Sequence, residues 1–417
     1  MASRVPPNLT PLTERLDSAD EPSQRDEKLF EHDVNQCSEQ NESHAGLVKY
    51  HRQNSEEPEF KSLQLPLTTE DMVGSDLFKN YKTSGGAKNF EPTQPRIKVL
   101  FENLTDVTSY LVRQASGERE QLEVCLPNPP FARFTDISCS LKTHVILNSV
   151  DGFDIKQNAM HSNYVDLLDQ QKHIATQYPI NKEEAAHFWL MAMQNNTDII
   201  IDLTQKGDKD CVPYYPLPKN VKAKATRKER EKAMDSQVAF SFGVKPKNAH
   251  DEIDQPSNKD HKVSPELIVK LATEPTESKV RSTSVYKVTF NREVKLIRRF
   301  HCKIWRDHGA VSTEEFDELI KELAKYKYQN FIIHCRAGVG RTMTLCAGLE
   351  LHRKFENGEI NRENYQEIVF KTVMKLRYQR GPSSVQTQNQ FELIMRTVYL
   401  WVVEAEKNSL TNSKKKK

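Results

Sequence analysis

The stretch Asn330-Phe-Ile-Ile-His-Cys-Arg-Ala-Gly-Val-Gly-Arg-Thr342 decides the fold prediction, because three kinds of local sequence follow one another in it. Within Asn330–His334 the three central residues are apolar, which predicts a buried strand. The segment Cys335–Thr342 contains two glycines, which predicts a tight loop, and the apolar residues after it predict a helix. A strand, a loop and a helix start in this order direct successive backbone N–H groups toward one point. The stretch therefore predicts a binding cup for a tetrahedral anion at a helix N-terminus.

Cys335 and Arg341 are the residues of this loop with the most distinctive chemistry. A cysteine at the floor of the cup has its thiolate stabilised by the same N–H dipoles, which makes it a nucleophile. Arg341 can donate two parallel N–H bonds to phosphate oxygens, which a lysine cannot do. A lone cysteine is usually only a small buried apolar residue. The spacing Cys-x5-Arg-Thr between a strand and a helix instead predicts a nucleophilic site.

The neighbours of these two residues are predicted to complete the site. Thr342 is placed to donate its hydroxyl to the sulfur, and His334 is expected to orient the loop. The substrate phosphate is expected to bind the backbone of the intervening residues, which are Arg336, Ala337, Gly338, Val339 and Gly340.

The segment His334–Thr342 resembles the phosphate loop of the protein tyrosine phosphatase superfamily. The resemblance extends from about Pro127 to Trp401, and several other segments match family motifs in the family's order. These are Arg133–Ile137 for the phosphotyrosine-recognition loop, Ile174–Ile180 for the YIATQGP block, His187–Trp189 for the helix after it and Asp208–Pro216 for the Cys-x-x-Tyr-Trp-Pro stretch. The resemblance implies an α/β fold, with a twisted mixed central sheet flanked by helices.

Two further loops carry residues to which the resemblance assigns a role. Trp305–Gly309 resembles the mobile Trp-Pro-Asp loop, in which Asp307 would protonate the leaving oxygen and then activate water as a general base. Val385–Gln390 resembles the glutamine loop, in which Gln386 would position the hydrolytic water and Gln390 would lie beside it. An amide suits this task because it orients water without acting as a nucleophile.

The chain departs from the family pattern at two positions. Arg306 stands where the acid loop usually has proline, which frees the backbone and alters how often the loop closes. Phe134 replaces the usual tyrosine, so the apolar wall for a phenyl ring is kept and the hydroxyl is lost. Asp136 matches the aspartate that accepts hydrogen bonds from a peptide backbone, which favours a protein substrate.

Composition divides the chain into three predicted parts. Residues 1–95 are polar, with few branched or aromatic side chains, which predicts a mostly disordered extension. Residues 96–407 form the predicted catalytic domain, in which the charged segment 217–283 is expected to be a surface insertion with a few strands or a hairpin. Residues 408–417 are expected to form a basic tail.

Apolar periodicity predicts the main elements of the catalytic domain. It indicates a buried helix over 185–194 followed by a buried strand over 198–203. Ser312, with Glu315 three residues later, forms a capping box that predicts the start of a helix over 312–325. A stripe of apolar residues at spacings of three and four predicts a helix over 387–407.

Charge and cysteine content exclude several classes of function. The chain has 60 basic and 58 acidic residues in 417, so no overall field favours nucleic acid. Its 7 cysteines are scattered without a CxxC pair, which argues against a zinc site and favours a reducing, cytosolic environment. No cofactor is expected, and the apolar runs are too short for a transmembrane segment.

Three alternatives to phosphotyrosine hydrolysis remain open from the residues. A phytase-like phosphatase shares the Cys-x5-Arg-Thr loop and an Asp-His acid loop, a phosphoinositide phosphatase is a further alternative, and a pseudophosphatase would bind phosphoproteins without turnover. The loop together with Leu376–Arg380 further resembles secreted effector tyrosine phosphatases of bacterial pathogens. That resemblance implies a secretion chaperone at the N-terminal region and action in a host cytoplasm.

Overall fold

The computed structural model describes residues 91–115, 132–134, 136–148, 159–167, 171–205, 208, 210–211, 213–217, 237–241, 266–305 and 311–415. The helices are α1 Gln94–Ala115, α2 Lys182–Gln194, α3 Thr313–Ala324, α4 Arg341–Glu356, α5 Tyr365–Arg380 and α6 Gln388–Lys415. The strands are β1 His144–Ile146, β2 Ala159–Val165, β3 His173–Thr176, β4 Ile199–Asp202, β5 Gln237–Ser241, β6 Glu266–Glu277, β7 Arg281–Phe290, β8 Glu293–Cys302 and β9 Phe331–His334. Over these ranges, no helix combines the length and apolar character that crossing a membrane requires.

The described strands form one mixed sheet in the order β1-β2-β3-β9-β4-β8-β7-β6-β5. Its centre, β3-β9-β4-β8, is parallel, and antiparallel strands flank it on both sides. Parallel strands end at the same edge of a sheet, so Thr176, Asp202 and His301 lie level with His334. His334, the residue before Cys335, therefore lies between Thr176 and Asp202 of the two adjacent strands, with His301 one strand further on.

Apolar side chains of the central strands alternate between two cores. Ile199 and Ile201 of β4 pack with the helices α1 and α3–α6, whereas Ile200 packs with α2 on the other face. This alternation follows from the two-residue period of a strand. Both faces of the sheet centre are covered, which confirms the predicted mixed sheet flanked by helices.

The capping box at Ser312 is confirmed. The Ser312 hydroxyl accepts a hydrogen bond from the Glu315 N–H, and the Glu315 carboxylate accepts one from the Ser312 N–H. The helix predicted over 185–194 begins earlier, at Lys182, because Asn181 caps it through the Glu184 N–H.

The structure differs from the predicted division of the chain at several points. Segment 217–283 is not only a surface insertion, since β6 joins the sheet and buries Leu267 and Val269. The charged residues around them alternate outward, so composition concealed a two-residue period. The final helix continues to Lys415, through most of the predicted basic tail. Gln94 and Pro95 already belong to α1, and residues 1–90 of the predicted extension lie outside the described residues.

Candidate active site

The phosphate loop, Cys335–Gly340, connects β9 to α4 as predicted from the sequence. Cys335 is only 3% exposed, and its Sγ accepts a hydrogen bond from the Gly338 N–H at 3.3 Å. Gly338 has φ +75, and a Cβ there would lie 2.2 Å from the Thr176 carbonyl oxygen. A glycine is therefore required where the loop passes the end of β3.

Arg341, the first residue of α4, is held by two groups from the segment after β4. Its Nη1 donates to the Leu203 carbonyl at 2.9 Å, and both terminal nitrogens contact the Asp208 carboxylate at 2.7 and 2.8 Å. Burial alone would lower the pKa of Arg341, but the hydrogen bonds that its guanidinium donates to Asp208 and the charge of Cys335 raise it. The guanidinium is thus fixed and charged beside the sulfur.

Asp208 is a site residue that sequence reasoning did not single out. It is the first residue of Asp208–Pro216, the segment that resembles the Cys-x-x-Tyr-Trp-Pro stretch of the family. The signal that could have found it is a carboxylate shortly after a buried strand, because β4 pairs with β9 and ends at the same edge.

A buried polar network lies behind the loop on the strand side, which we define as Asp202, Arg299, Tyr214 and His334. The Tyr214 hydroxyl lies 2.8 Å from His334 Nε2, and Asp202 Oδ1 lies 3.7 Å from His334 Nδ1. Arg299 Nε donates to Asp202 Oδ2 at 3.1 Å, and its Nη2 contacts the same oxygen. These contacts hold the residue that precedes Cys335.

Burial and the charges of neighbouring groups together set the pKa values of this network. Burial by itself would raise the pKa of Asp202, but the positive charge of Arg299 brings it below its usual range. Burial lowers the pKa of His334 to about 4, although the Asp202 charge opposes that shift. His334 is therefore neutral near pH 7, and it acts as a hydrogen-bonding group rather than as a cation.

Asp202 also shapes the backbone that holds Arg341. Its Oδ1 accepts hydrogen bonds from the Thr204 N–H at 2.9 Å and the Thr204 hydroxyl at 2.6 Å. This turn encloses Leu203, whose N–H donates to the His334 carbonyl and whose carbonyl accepts from Arg341. One carboxylate thereby connects both ends of the phosphate loop.

A second buried arginine supports the loop next to α5, in a region that we call the helix side and define as Arg377 and Arg380 of α5 together with His161 of β2. Arg380 is fully buried and its Nε donates to the Gly338 carbonyl at 3.2 Å. Its Nη1 donates to Asn163 Oδ1 at 2.8 Å, and its Nη2 lies 3.0 Å from His161 Nδ1. Because a guanidinium only donates, Nδ1 of His161 must accept, and Nε2–H then donates to the Ile137 carbonyl at 3.1 Å.

The two predicted glutamines both lie against the phosphate loop. A Cβ built on Gly340 would lie 2.9 Å from Gln390 Nε2 and 3.4 Å from Gln386 Oε1. Gln390 Oε1 also accepts a hydrogen bond from the Gln386 N–H at 2.9 Å. The structure thus brings together Gln386, Gln390 and the loop, and it gives Gln390 a part in fixing the backbone.

The hydrogen bond predicted from Thr342 to the sulfur is not formed. The Thr342 hydroxyl is buried and has no hydrogen-bond partner within the described part of the chain. The Gly338 N–H occupies the corresponding role at Cys335 Sγ. Spacing along α4 placed Thr342 near the cysteine, but packing decided where its hydroxyl points.

The rim of the site carries an aromatic ring with two arginines near it. The guanidinium carbons of Arg133 and Arg336 lie 5.2 and 5.3 Å from the centre of the Phe134 ring. Arg133 Nη2 also donates to the Tyr178 and Arg336 carbonyls, which anchors the recognition loop to the phosphate loop. Asp136 is exposed in that same loop.

The acid loop is the part of the predicted site without a structural description. Arg306 and Asp307 lie outside the described residues. The tryptophan before them, Trp305, is buried and packs against Phe316 of α3 at a ring distance of 5.7 Å. The role of Asp307 stays a prediction.

The comparisons with known proteins give a consistent family. The protein-tyrosine phosphatase model matches residues 128–400, so the chain belongs to the protein-tyrosine phosphatase family. It is similar to human receptor-type tyrosine-protein phosphatase F, with 28% identity over 61% of this chain and 11% of that protein. It is also similar to human tyrosine-protein phosphatase non-receptor type 9, with 23% identity over 67% of this chain and 42% of that protein. The chain therefore spans a minor part of these relatives' lengths.

Solved structures share the fold. The catalytic domain of human protein tyrosine phosphatase non-receptor type 18 superposes with a TM-score of 0.54 at 18% identity, covering 74% of this chain and 97% of that one. A complex of PTPN18 with HER2-pY1196 phosphopeptides gives a TM-score of 0.53 at 17% identity, covering 79% of this chain and 98% of that one. At this identity the likeness concerns the fold alone.

Proposed function

We propose that this protein hydrolyses phosphotyrosine in proteins through a phosphocysteine intermediate at Cys335. The observation that carries the proposal is the placement of Cys335 at the floor of a backbone cup, with Arg341 fixed beside it. Family membership supports the same chemistry. The reaction needs a buried nucleophile, a donor for the phosphoryl oxygens, an acid and an oriented water.

In the first step the Cys335 thiolate attacks phosphorus, so that an S–P bond forms and the P–O bond to the tyrosyl ring breaks. Asp307 is proposed to give its proton to the leaving oxygen. Arg341 and the loop N–H groups bind the equatorial oxygens as charge develops on them. Asp208 and the Leu203 carbonyl contribute by keeping the guanidinium in place before substrate arrives.

In the second step water attacks the phosphocysteine, the S–P bond breaks and inorganic phosphate forms. Asp307, now ionised, is proposed to accept the water proton, and the thiolate is regenerated as leaving group. Gln386 is proposed to hold the water in line with the S–P bond, because its amide lies against Gly340 of the loop.

The rim supports a phosphorylated phenol as the substrate. Phe134 offers an apolar face to the substrate ring, and Cys335 at 3% exposure is reached more readily by the long tyrosyl group than by phosphoserine. The arginines at this rim add positive charge, and the exposed Asp136 is proposed to accept hydrogen bonds from a peptide backbone. A phosphopeptide complex is known for the structural neighbour PTPN18.

The hypothesis of a secreted bacterial effector rests on motif resemblance and on a polar N-terminal segment. The relatives reported above are human proteins, and they give no support to a secretion chaperone or a host target. The proposed chemistry does not depend on that hypothesis.

The proposal is tested by phosphate release from phosphotyrosine peptides, phosphoserine peptides and inositol hexakisphosphate. We expect the wild-type protein to prefer the phosphotyrosine peptides, and Cys335→Ser to lose turnover while still binding phosphate. Cys302→Ser, a change at a buried cysteine in β8, is the matched control and should keep activity. A preference for inositol hexakisphosphate would favour the phytase-like alternative, and wild-type binding without turnover would favour a pseudophosphatase.

A further inference from the structure

Arg377 of α5 is a buried cation that joins α1 to the glutamine loop. It is 4% exposed, and its Nη1 donates to the Leu104 carbonyl at 3.1 Å and to the Thr108 hydroxyl at 2.9 Å, both in α1. Its Nε donates to the Ser384 carbonyl at 3.0 Å, and its Nη2 to the Val385 carbonyl at 3.4 Å. One guanidinium therefore spans two segments that are distant in sequence.

The helix that receives Arg377 is part of the core, although it precedes the family match at 128–400. Leu100 and Leu104 of α1 are buried in the same core as α5 and α6. Phe101 packs against Phe391 of α6 with ring centres 5.9 Å apart, and its ring centre lies 5.7 Å from the Arg377 guanidinium carbon. This packing makes α1 a fixed support for the arginine.

The other end of the bridge holds a strained residue. Val385 has φ +53, which is unfavourable for a β-branched side chain and persists only where surrounding contacts enforce it. Its N–H donates to the Val339 carbonyl of the phosphate loop at 3.1 Å, and its carbonyl accepts from Arg377. The next residue is Gln386, so this strain sets the direction in which the glutamine leaves the loop.

We propose that Arg377, supported by α1, is a positioning residue that holds Val385 and so aims the Gln386 amide at the hydrolytic water. This inference rests on the proposed function of the same site. The bridge ends at Val385, the residue before Gln386, and makes no contact with Cys335 among the described residues, so it acts on the second step, in which water breaks the S–P bond. Arginine suits the position because its fork serves four acceptors at once, which an ammonium cannot match.

The burial of Arg377 among neutral acceptors is consistent with this role. Burial lowers the pKa of Arg377 to about 10, so the side chain is still charged near pH 7. A buried charge without a carboxylate needs all its hydrogen bonds. Loss of one α1 acceptor should therefore shift the guanidinium and disturb Val385.

The test is Thr108→Val, which removes the acceptor hydroxyl of α1 with little change in side-chain volume. Thr397→Val is the matched control, because Thr397 is also buried, in α6, but its hydroxyl donates to the Leu393 carbonyl of its own helix and to no other described residue. Both variants are made in the full chain, with an aryl phosphate as substrate. The fraction of enzyme held as phosphocysteine at steady state is measured by rapid acid quench, together with the rate of its formation.

We expect Thr108→Val to leave the formation rate unchanged and to slow hydrolysis by roughly tenfold, since small misplacements of catalytic groups cost this much or more. The phosphocysteine fraction should rise accordingly. Thr108→Ser, which restores the hydroxyl, should restore hydrolysis, and Thr397→Val should resemble the wild type.

Two results separate this inference from the proposed function. Equal slowing of both steps by Thr108→Val, or wild-type hydrolysis in that variant, would overturn the role of Arg377 and leave the chemistry at Cys335 intact. Absence of any phosphocysteine in the wild-type protein during turnover would overturn both. Arg377→Lys is a second test, because it keeps the positive charge but loses the several N–H donors of the guanidinium. Hydrolysis of the phosphocysteine as fast as in the wild type would also contradict the inference.

Discussion

On the strand side of the phosphate loop the buried Arg299 faces a carboxylate, Asp202, whereas on the helix side the buried Arg380 contacts neutral acceptors among the described residues. Arg380 donates directly to the Gly338 carbonyl of the loop, whereas Arg299 binds Asp202, which lies 3.7 Å from the His334 ring before the loop. On the strand side the charge of Arg299 is paired with a carboxylate. On the helix side the charge of Arg380 is stabilised by hydrogen bonds to neutral groups.

This difference assigns a different sensitivity to each side. A buried ion pair is destroyed when either partner is removed, because the remaining charge stays buried and unpaired. A dipole-solvated arginine instead depends on the protonation state of its acceptors, and His161 is an acceptor that titrates. Substitutions should therefore be most costly on the strand side. Acid should act on both sides, because burial lowers the pKa of both His334 and His161, but only on the helix side is the titrating histidine a direct acceptor of the buried arginine.

The largest expected effect is on folding stability, from Asp202→Ala. Removing the carboxylate leaves Arg299 unpaired in the core, which should lower the free energy of unfolding by about 3–5 kcal/mol. Urea unfolding of the full chain measures this loss. Asp202→Asn keeps the acceptor for Thr204 and should lose less, and a loss below about 1 kcal/mol in Asp202→Ala would contradict the contrast between the two sides.

The next largest effect is on the rate of Arg341→Lys. A lysine cannot hold Asp208 and two phosphoryl oxygens with a planar fork, so kcat/KM for an aryl phosphate should fall by roughly 100-fold or more. The variant is compared with Arg353→Lys in α4, where the arginine pairs with Glu350 away from the loop. Near wild-type kinetics in Arg341→Lys would mean that the loop is not the catalytic site.

The third effect is the pH dependence contributed by His161. Burial, together with the nearby charge of Arg380, lowers the pKa of His161 to about 3, against about 6.5 in an unfolded chain. Between these values the unfolded chain binds a proton that the folded chain does not, so this contribution is complete above pH 6.5 and is lost as the pH falls. The slope is at most about 1.4 kcal/mol per pH unit.

His161→Gln should remove that share of the pH dependence, because glutamine can accept from Arg380 and does not titrate. Unfolding free energies of both proteins are measured from pH 8, where His161 is neutral in both states, down to pH 5. Parallel curves would show that His161 does not carry the acid sensitivity of the helix side.

The smallest expected effect is at the rim, from Phe134→Ala. The loss of ring stacking should raise KM for phosphotyrosine peptides about 3- to 10-fold with a smaller change in kcat, as the loss of an aromatic contact worth roughly 0.5–1.5 kcal/mol would do. Asp136→Ala should raise KM for phosphotyrosine peptides and leave KM for small aryl phosphates unchanged. A fall in kcat at unchanged KM would place Phe134 in the chemical step instead of in binding.

The sequence by itself determined the central feature of this protein. The strand, the loop and the helix around Cys335 and Arg341 are continuous in the chain, so local apolar pattern, glycine positions and spacing were sufficient to predict them. The capping box at Ser312 was predictable for the same reason. Gln386 was placed near the loop by resemblance, and the structure brings it there.

Only the tertiary structure decided what holds that loop. Asp208, Asp202 and Arg377 meet their partners through strand register and helix packing between segments more than 90 residues apart, as in the pairs Arg299–Asp202 and Arg377–Leu104. No local sequence pattern predicts such contacts, because the sequence around a buried arginine does not distinguish it from an exposed one. The direction of the Thr342 hydroxyl was likewise set by packing, since spacing fixes which side of a helix a residue occupies but not which rotamer its neighbours permit.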